Sequence, residues 1–167
     1  MDDVAALLEP QIPALRRYAY ALVRNHDGAD DLVQDCLERA VARWYLRRRD
    51  GDLRAWLFTI LRNLYISDFR QRRRRGMEVD IDDVALSVHP VQDAGLDTQD
   101  VLTALDRLPE EHKAVLLLVG VEDLSYEETA RVLGIPRGTV MSRLARARQS
   151  LRGLMDKGGG TWLRRVK

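Results

Sequence analysis

One cysteine, Cys36, in a chain of 167 residues leaves no intramolecular disulfide to be made. The opening Met1-Asp-Asp-Val4 lacks the basic and apolar regions of a secretory signal, and no uninterrupted apolar run approaches the length needed to cross a bilayer. These absences predict a reduced, cytoplasmic chain with no direct membrane insertion. His26, His89 and His112 are scattered and no Cys or His stands at metal-ligand spacing, so neither a metal nor a cofactor is expected. A nucleophile with a companion base and a glycine-rich phosphate loop are also missing. The chain therefore reads as neither an enzyme nor a binder of a small-molecule substrate. Cys36 itself reads as a small core residue beside Leu37.

What the chain has is segregated charge. Its formal net charge is only +1, from 27 basic and 26 acidic side chains. That balance conceals two basic blocks, Arg70 with Arg72 to Arg75, and the stretch from Arg137 to Arg152. Between them, Glu78, Asp80, Asp82, Asp83, Asp93, Asp97 and Asp100 lie in a segment from Gly76 to Asp100 that has no lysine or arginine. Asymmetry of this kind, rather than net charge, bears on a nucleic-acid partner. With His89-Pro90 and Gly95, the acidic segment reads as a linker. The expected architecture is all-α: a helical domain over 1–75, a linker over 76–99, a second helical domain over 100–157 and a tail over 158–167. At this length each domain buries a modest core.

The second domain carries the most specific local pattern. Ser125 with Glu128 forms a capping box that starts a short helix, and Gly134 suits the left-handed residue that ends it. Pro136 then suits the start of another helix. In that helix Val140, Leu144, Ala147 and Leu151 fall on one apolar stripe, which predicts that they face the core. Geometry then places Gly138, Ser142, Ala145, Arg146 and Gln149 opposite, with Arg143 and Arg148 on the flanks. Small hydrogen-bonding residues between basic shoulders suit a major groove, where side chains reach base edges and arginines neutralise phosphates. The same pattern also fits an amphipathic helical hairpin with a solvated charged face.

The first domain reads as helical throughout. Ile12, Leu15, Tyr18, Ala19, Leu22 and Val23 recur at helical spacing, and Asn25-His-Asp-Gly28 breaks that helix. A second helix, from about Ala29 to Trp44, places Val33, Leu37, Ala40 and Trp44 on the core stripe, with Asp31, Asp35 and Glu38 opposite. After a loop over Arg47 to Asp52, a third helix runs from Leu53 into the arginine block with Leu53, Leu57, Ile60, Leu61 and Leu64 inward. Phe58, Tyr65 and Phe69 lie on one side of that stripe, and Trp56, Asn63 and Arg70 on the other. Aromatics beside arginines suit single-stranded nucleic acid, where bases stack and phosphates need neutralising. Aromatics at this spacing also build cores: Phe58 and Phe69 are assigned there, and Trp56 to either role.

Four blocks, Gly28-Ala-Asp-Asp-Leu-Val-Gln-Asp-Cys-Leu-Glu-Arg-Ala40, Leu53-Arg-Ala-Trp-Leu-Phe-Thr-Ile-Leu-Arg-Asn63, Leu108-Pro-Glu-Glu-His-Lys-Ala-Val-Leu116 and Gly138-Thr-Val-Met-Ser-Arg-Leu-Ala-Arg-Ala-Arg148, together resemble the bacterial extracytoplasmic-function sigma factors. The resemblance covers about Leu7 to Leu154. It implies a two-domain initiation factor with core RNA polymerase, promoter DNA and an anti-sigma factor as partners. It also implies roles by position. Asp31, Leu32, Gln34 and Asp35 match the polymerase-binding segment, where Leu32, read as off the core stripe, would add apolar contact. Trp56, Arg62 and Asn63 match the part that engages the melted minus-ten element, with Arg47, Arg48 and Arg49 in its base-selecting loop. Arg137, Thr139, Ser142, Arg143, Arg146 and Arg148 match the helix that reads the minus-thirty-five element. Met141 stands where the family commonly has a basic residue, and Ala145 where a larger one is frequent. Two other classes stay open: a free-standing helix-turn-helix regulator, and a sigma-like decoy that occupies an anti-sigma factor.

Overall fold

The computed structural model describes residues 3–76 and 96–157, and among these every regular element is a helix. The chain divides into two compact units, Met1–His89 and Pro90–Lys167. Most of the acidic linker and all of the tail 158–167 lie outside the described residues.

The first unit opens with α1 (Val4–Leu8), which Asp3 caps by accepting from the Ala5 N–H at 3.1 Å. A 3-10 turn then leads into α2 (Ile12–Val23). That helix ends where Arg24 adopts a left-handed φ of 56°, its N–H bonded to the Tyr20 carbonyl at 2.7 Å. The interruption is shorter than Asn25–Gly28. Asn25 is already the cap of α3 (His26–Ala42), its side-chain oxygen accepting from the Gly28 N–H at 3.0 Å, so Gly28 sits in the first helical turn. Trp44–Leu46 form a 3-10 turn, and Asp52 caps α4 (Leu53–Arg74) by accepting from Arg54 and Ala55 at 2.9 and 3.4 Å.

These helices pack α2 on α3 and α3 on α4, with α2 also meeting α4. Leu15, Tyr18 and Leu22 come from α2, Val33, Cys36 and Ala40 from α3, and Leu57, Phe58 and Leu61 from α4. Tyr18 and Phe58 meet edge to face with centroids 5.0 Å apart, a favourable arrangement of ring quadrupoles. Phe58 thus takes its expected core place. Phe69 does not: it is 38% exposed, because burial on α4 falls away after Leu61 and every residue from Ser67 on is exposed.

In the second unit α5 (Leu96–Asp106) begins four residues before Asp100, inside the stretch read as linker. Acidic composition suits the first turn of a helix as well as it suits a linker, because negative charge complements the helix dipole there. After Pro109, α6 (Glu110–Val115) continues as a π turn over Leu116–Val121. Lys113, buried on α6, is held by Asp106 of α5 at 2.8 Å, which compensates its removal from water. Then α7 (Tyr126–Leu133) carries the full capping box: Ser125 Oγ accepts from Glu128 N–H and Glu128 Oε2 from Ser125 N–H, both at 3.0 Å. Gly134 ends it with φ 65°, and Pro136 sits just before α8 (Arg137–Lys157), its carbonyl accepting from Thr139 and Val140.

Two outcomes follow from these placements. Nothing lies within 4 Å of a Cβ added at Gly134, so Gly134→Ala should cost only the backbone penalty of the left-handed conformation, about 1–2 kcal/mol in urea unfolding, with Gly134→Asn milder. A loss near zero would contradict that geometry. Burial pushes the Cys36 thiol from 9.0 up to about 12, and its sulfur donates to the Leu57 carbonyl at 3.5 Å. The folded chain should therefore resist alkylation at pH 8 until unfolded. Because the folded value is the raised one, the stability tied to this thiol is complete below pH 9 and declines as pH rises toward 12.

Candidate functional site

Helix α8 builds the first candidate surface. Val140, Leu144 and Ala147 are at most 2% exposed, because α8 packs on α6 and α7 through this stripe. Its other side is fixed by that packing: Gly138, Ser142, Ala145, Arg146, Arg148 and Gln149 are all exposed, as is Met141. Thr139 and Arg143 are half-buried. Two of the arginines meet carboxylates from neighbouring elements, Arg137 with Glu127 at 3.9 Å and Arg143 with Glu111 at 3.7 Å. The Arg137 pair is exposed on both sides and is worth little in water, while Arg143 is the more covered of the two arginines. Ser142 donates its hydroxyl to the Thr139 carbonyl at 3.2 Å. The face has a strong donor in Arg146, an acceptor in Ser142, and arginines around them.

A second surface lies at the loop before α4. Arg47 stacks its guanidinium 4.5 Å from the centroid of Trp44, and Trp44 in turn meets Trp56 edge to face at 6.1 Å. The loop is thereby tied to the helix through two indoles, a link that spacing within one helix could not show. Trp56 and Arg62 are half-buried, while Arg48, Arg49 and Asn63 are exposed. Tyr45, 80% exposed, and Leu46, 62% exposed, stand beside them and were not among the sequence candidates.

The third surface is the outer side of α3. Asp31, Gln34 and Asp35 are exposed, with Gln34 donating to Glu38 at 3.2 Å. Leu32 is a correction. It is only 9% exposed and belongs to the core stripe Ala29, Leu32, Val33, Cys36 and Ala40, while Leu37 and Trp44 are half-buried. Ala29, Cys36 and Ala40 face the core, and Leu32, on the same side of α3, is buried with them.

The comparisons with known proteins agree with this layout. A family model described as the Sigma2 domain of PhyR matches residues 8–62, and one described as Sigma-70, region 4, matches residues 98–151. Over 155 residues the chain is 43% identical to the ECF RNA polymerase sigma factor EcfG of Rhodopseudomonas palustris, covering 92% of this chain and 83% of that one. It belongs to the extracytoplasmic-function sigma factors. The fold matches the sigma factor RpoE, solved with the anti-sigma factor NepR from Bartonella quintana, with TM-score 0.82 and 39% identity over 93% of this chain and 98% of the other. CnrH, solved with the cytosolic domain of CnrY, gives TM-score 0.72 and 27% identity over 92% of this chain and 88% of that one. The region 4 match covers α7 and α8 as far as Leu151, so the capping box, Gly134 and the α8 face from Gly138 to Gln149 lie inside the matched segment.

Because Leu32 is core, Leu32→Ala should lower the stability of this sigma factor by about 2–5 kcal/mol in chemical unfolding. Normal stability together with impaired polymerase binding would return Leu32 to the surface.

Proposed function

We propose that the first unit of this sigma factor docks on core RNA polymerase and engages the melted minus-ten element, while the second reads the minus-thirty-five element. The observation that carries the reading is the α8 face: a helix buried by Val140, Leu144 and Ala147 presents Ser142, Arg146 and Arg148 outward in a chain 43% identical to a sigma factor. Arg146 would contact a base edge, and Arg137, Arg143 and Arg148, with Thr139, the sugar-phosphate backbone. Asp31, Gln34 and Asp35 would meet a basic surface of the polymerase. Arg47, Arg48, Arg49, Trp56, Arg62 and Asn63 would hold unpaired minus-ten bases, whose extrusion costs a few kcal/mol each and is repaid by stacking and pocket contacts. On this reading the chain works in the cytoplasm as a regulator rather than an enzyme, and its domains follow the bounds 1–75 and 100–157 with a connector between. An anti-sigma factor would hold it inactive until a stress signal, as the RpoE–NepR and CnrH–CnrY complexes of its relatives support.

One observation favours a second reading. The N-terminal family model comes from PhyR, described in a solved complex as an anti-anti-sigma factor, so the chain could act by occupying an anti-sigma factor. The two readings separate in run-off transcription with core polymerase. A sigma factor directs promoter-specific transcripts, and a decoy directs none. Arg146→Ala should weaken minus-thirty-five recognition by roughly 1–3 kcal/mol with unchanged competition for core polymerase. Asp35→Lys should do the reverse, losing core competition. Loss of core binding in Arg146→Ala would contradict the two-site assignment.

A further inference from the structure

Sulfur is scarce in this chain and reaches solvent unevenly. One cysteine and four methionines carry all of it. Among the described residues Cys36 is 0% exposed and Met155 6%, whereas Met141 is 49% exposed; Met1 and Met77 lie outside them. Burial also pushes the Cys36 thiol up to about 12, so at neutral pH it holds almost no thiolate, the form that attacks an oxidant. Met141 is therefore the described sulfur that an oxidant in water can reach.

It also stands where a change of polarity matters. Of the large apolar side chains on α8, Val140, Leu144 and Met155 are buried and Leu151 and Leu154 half-buried, which leaves Met141 as the exposed one. Arg137, Met141, Ala145 and Arg148 are all exposed and recur at spacings of four, four and three, so they share one stripe beside Ser142. The sulfur thus lies on a stripe with a guanidinium at each end.

We propose that Met141 is a reversible oxidation site through which peroxide lowers minus-thirty-five reading by α8. The thioether sulfur takes one oxygen of hydrogen peroxide: an S–O bond forms as the O–O bond breaks, sulfur loses two electrons, and the remaining hydroxide leaves as water with the proton of the transferred oxygen. A thiol-dependent sulfoxide reductase returns the two electrons and releases that oxygen as water. The thioether is a weak acceptor that suits an apolar edge such as the thymine methyl, whereas the sulfoxide is polar and accepts strongly. Its oxygen competes with phosphates for Arg137 and Arg148. Both changes weaken the complex, and neither bears on core docking by α3.

Such a switch rests on α8 reading the minus-thirty-five element, and reconstituted polymerase tests the two separately. The full chain is treated with graded hydrogen peroxide, freed of it with catalase, and added to untreated core polymerase. Peptide mass mapping should find the added oxygen at Met141 before Met155. Preference for a promoter template over the same template with its minus-thirty-five element scrambled should fall about fivefold as Met141 is oxidised, with core competition unchanged. Incubation with methionine sulfoxide reductase and a thiol should restore it. Met141→Leu, whatever its starting preference, should show no peroxide dependence. Oxidation of Met155 or Cys36 ahead of Met141 overturns the proposal, as does unchanged preference with Met141 fully oxidised, a loss that reduction does not restore, or a loss that persists in Met141→Leu. An untreated parent chain with no preference for the intact element overturns the minus-thirty-five reading itself, and the switch with it.

Discussion

In both units a long, arginine-bearing helix is held by a narrow apolar stripe, and what it shows to solvent follows from how little of it a small core can cover. Val140, Leu144 and Ala147 lock the rotation of α8, and a turn of 100° per residue then leaves no choice about Gly138, Ser142, Ala145 and Arg146. On α4 the limit is length. Buried positions end at Leu61 while the helix continues to Arg74, so its last two turns, from Ser67, belong to the surface whatever their composition. Domains of this size bury a smaller share of their chain than large ones do, and that limitation is what frees helix faces for ligands.

Charge is arranged on this scaffold by face rather than by total. A chain of net charge +1 can attract a polyanion because its charges are concentrated by face: Asp31 and Asp35 line the outside of α3, and arginines crowd the end of α4 and the open side of α8. Where the arginines of α8 meet carboxylates, at Arg137–Glu127 and Arg143–Glu111, separations of 3.9 and 3.7 Å are too long for strong hydrogen bonds. Such pairs keep the arginines near the reading face at small energetic cost.

The parts legible in the sequence are those set by neighbours in the chain. The Ser125–Glu128 box, the left-handed Gly134 and the α8 stripe each depend on residues a few positions apart, and each is present. What escaped depended on tertiary contact. On α3 the expected Val33, Cys36 and Ala40 are buried, whereas Leu37 and Trp44 are only half-buried and Leu32, read as off the stripe, is buried. Packing favours small residues there, because Ala29, Cys36 and Ala40 let α2 and α4 approach closely, and Leu32 goes inward with them. The Trp44–Arg47 stack and the exposed Phe69 were hidden for the same reason: a ring at helical spacing looks alike whether or not a neighbour covers it.

The α8 face shows how far such detail constrains the proposed reading. As placed, the Ser142 hydrogen is directed to the Thr139 carbonyl, which leaves oxygen lone pairs facing outward, whereas Arg146 can only donate. Donor and acceptor one helical turn apart select different bases in a major groove. The guanidinium matches the acceptors of guanine, and the serine oxygen matches the amino group of adenine or cytosine. Met141 and Ala145 carry no polar side-chain hydrogen-bonding group and can make only apolar contacts, for which the thymine methyl is the complementary group in that groove. On the proposed reading, Arg146 can only donate to a base whereas Ser142 can still accept, so the two positions would make different kinds of contact.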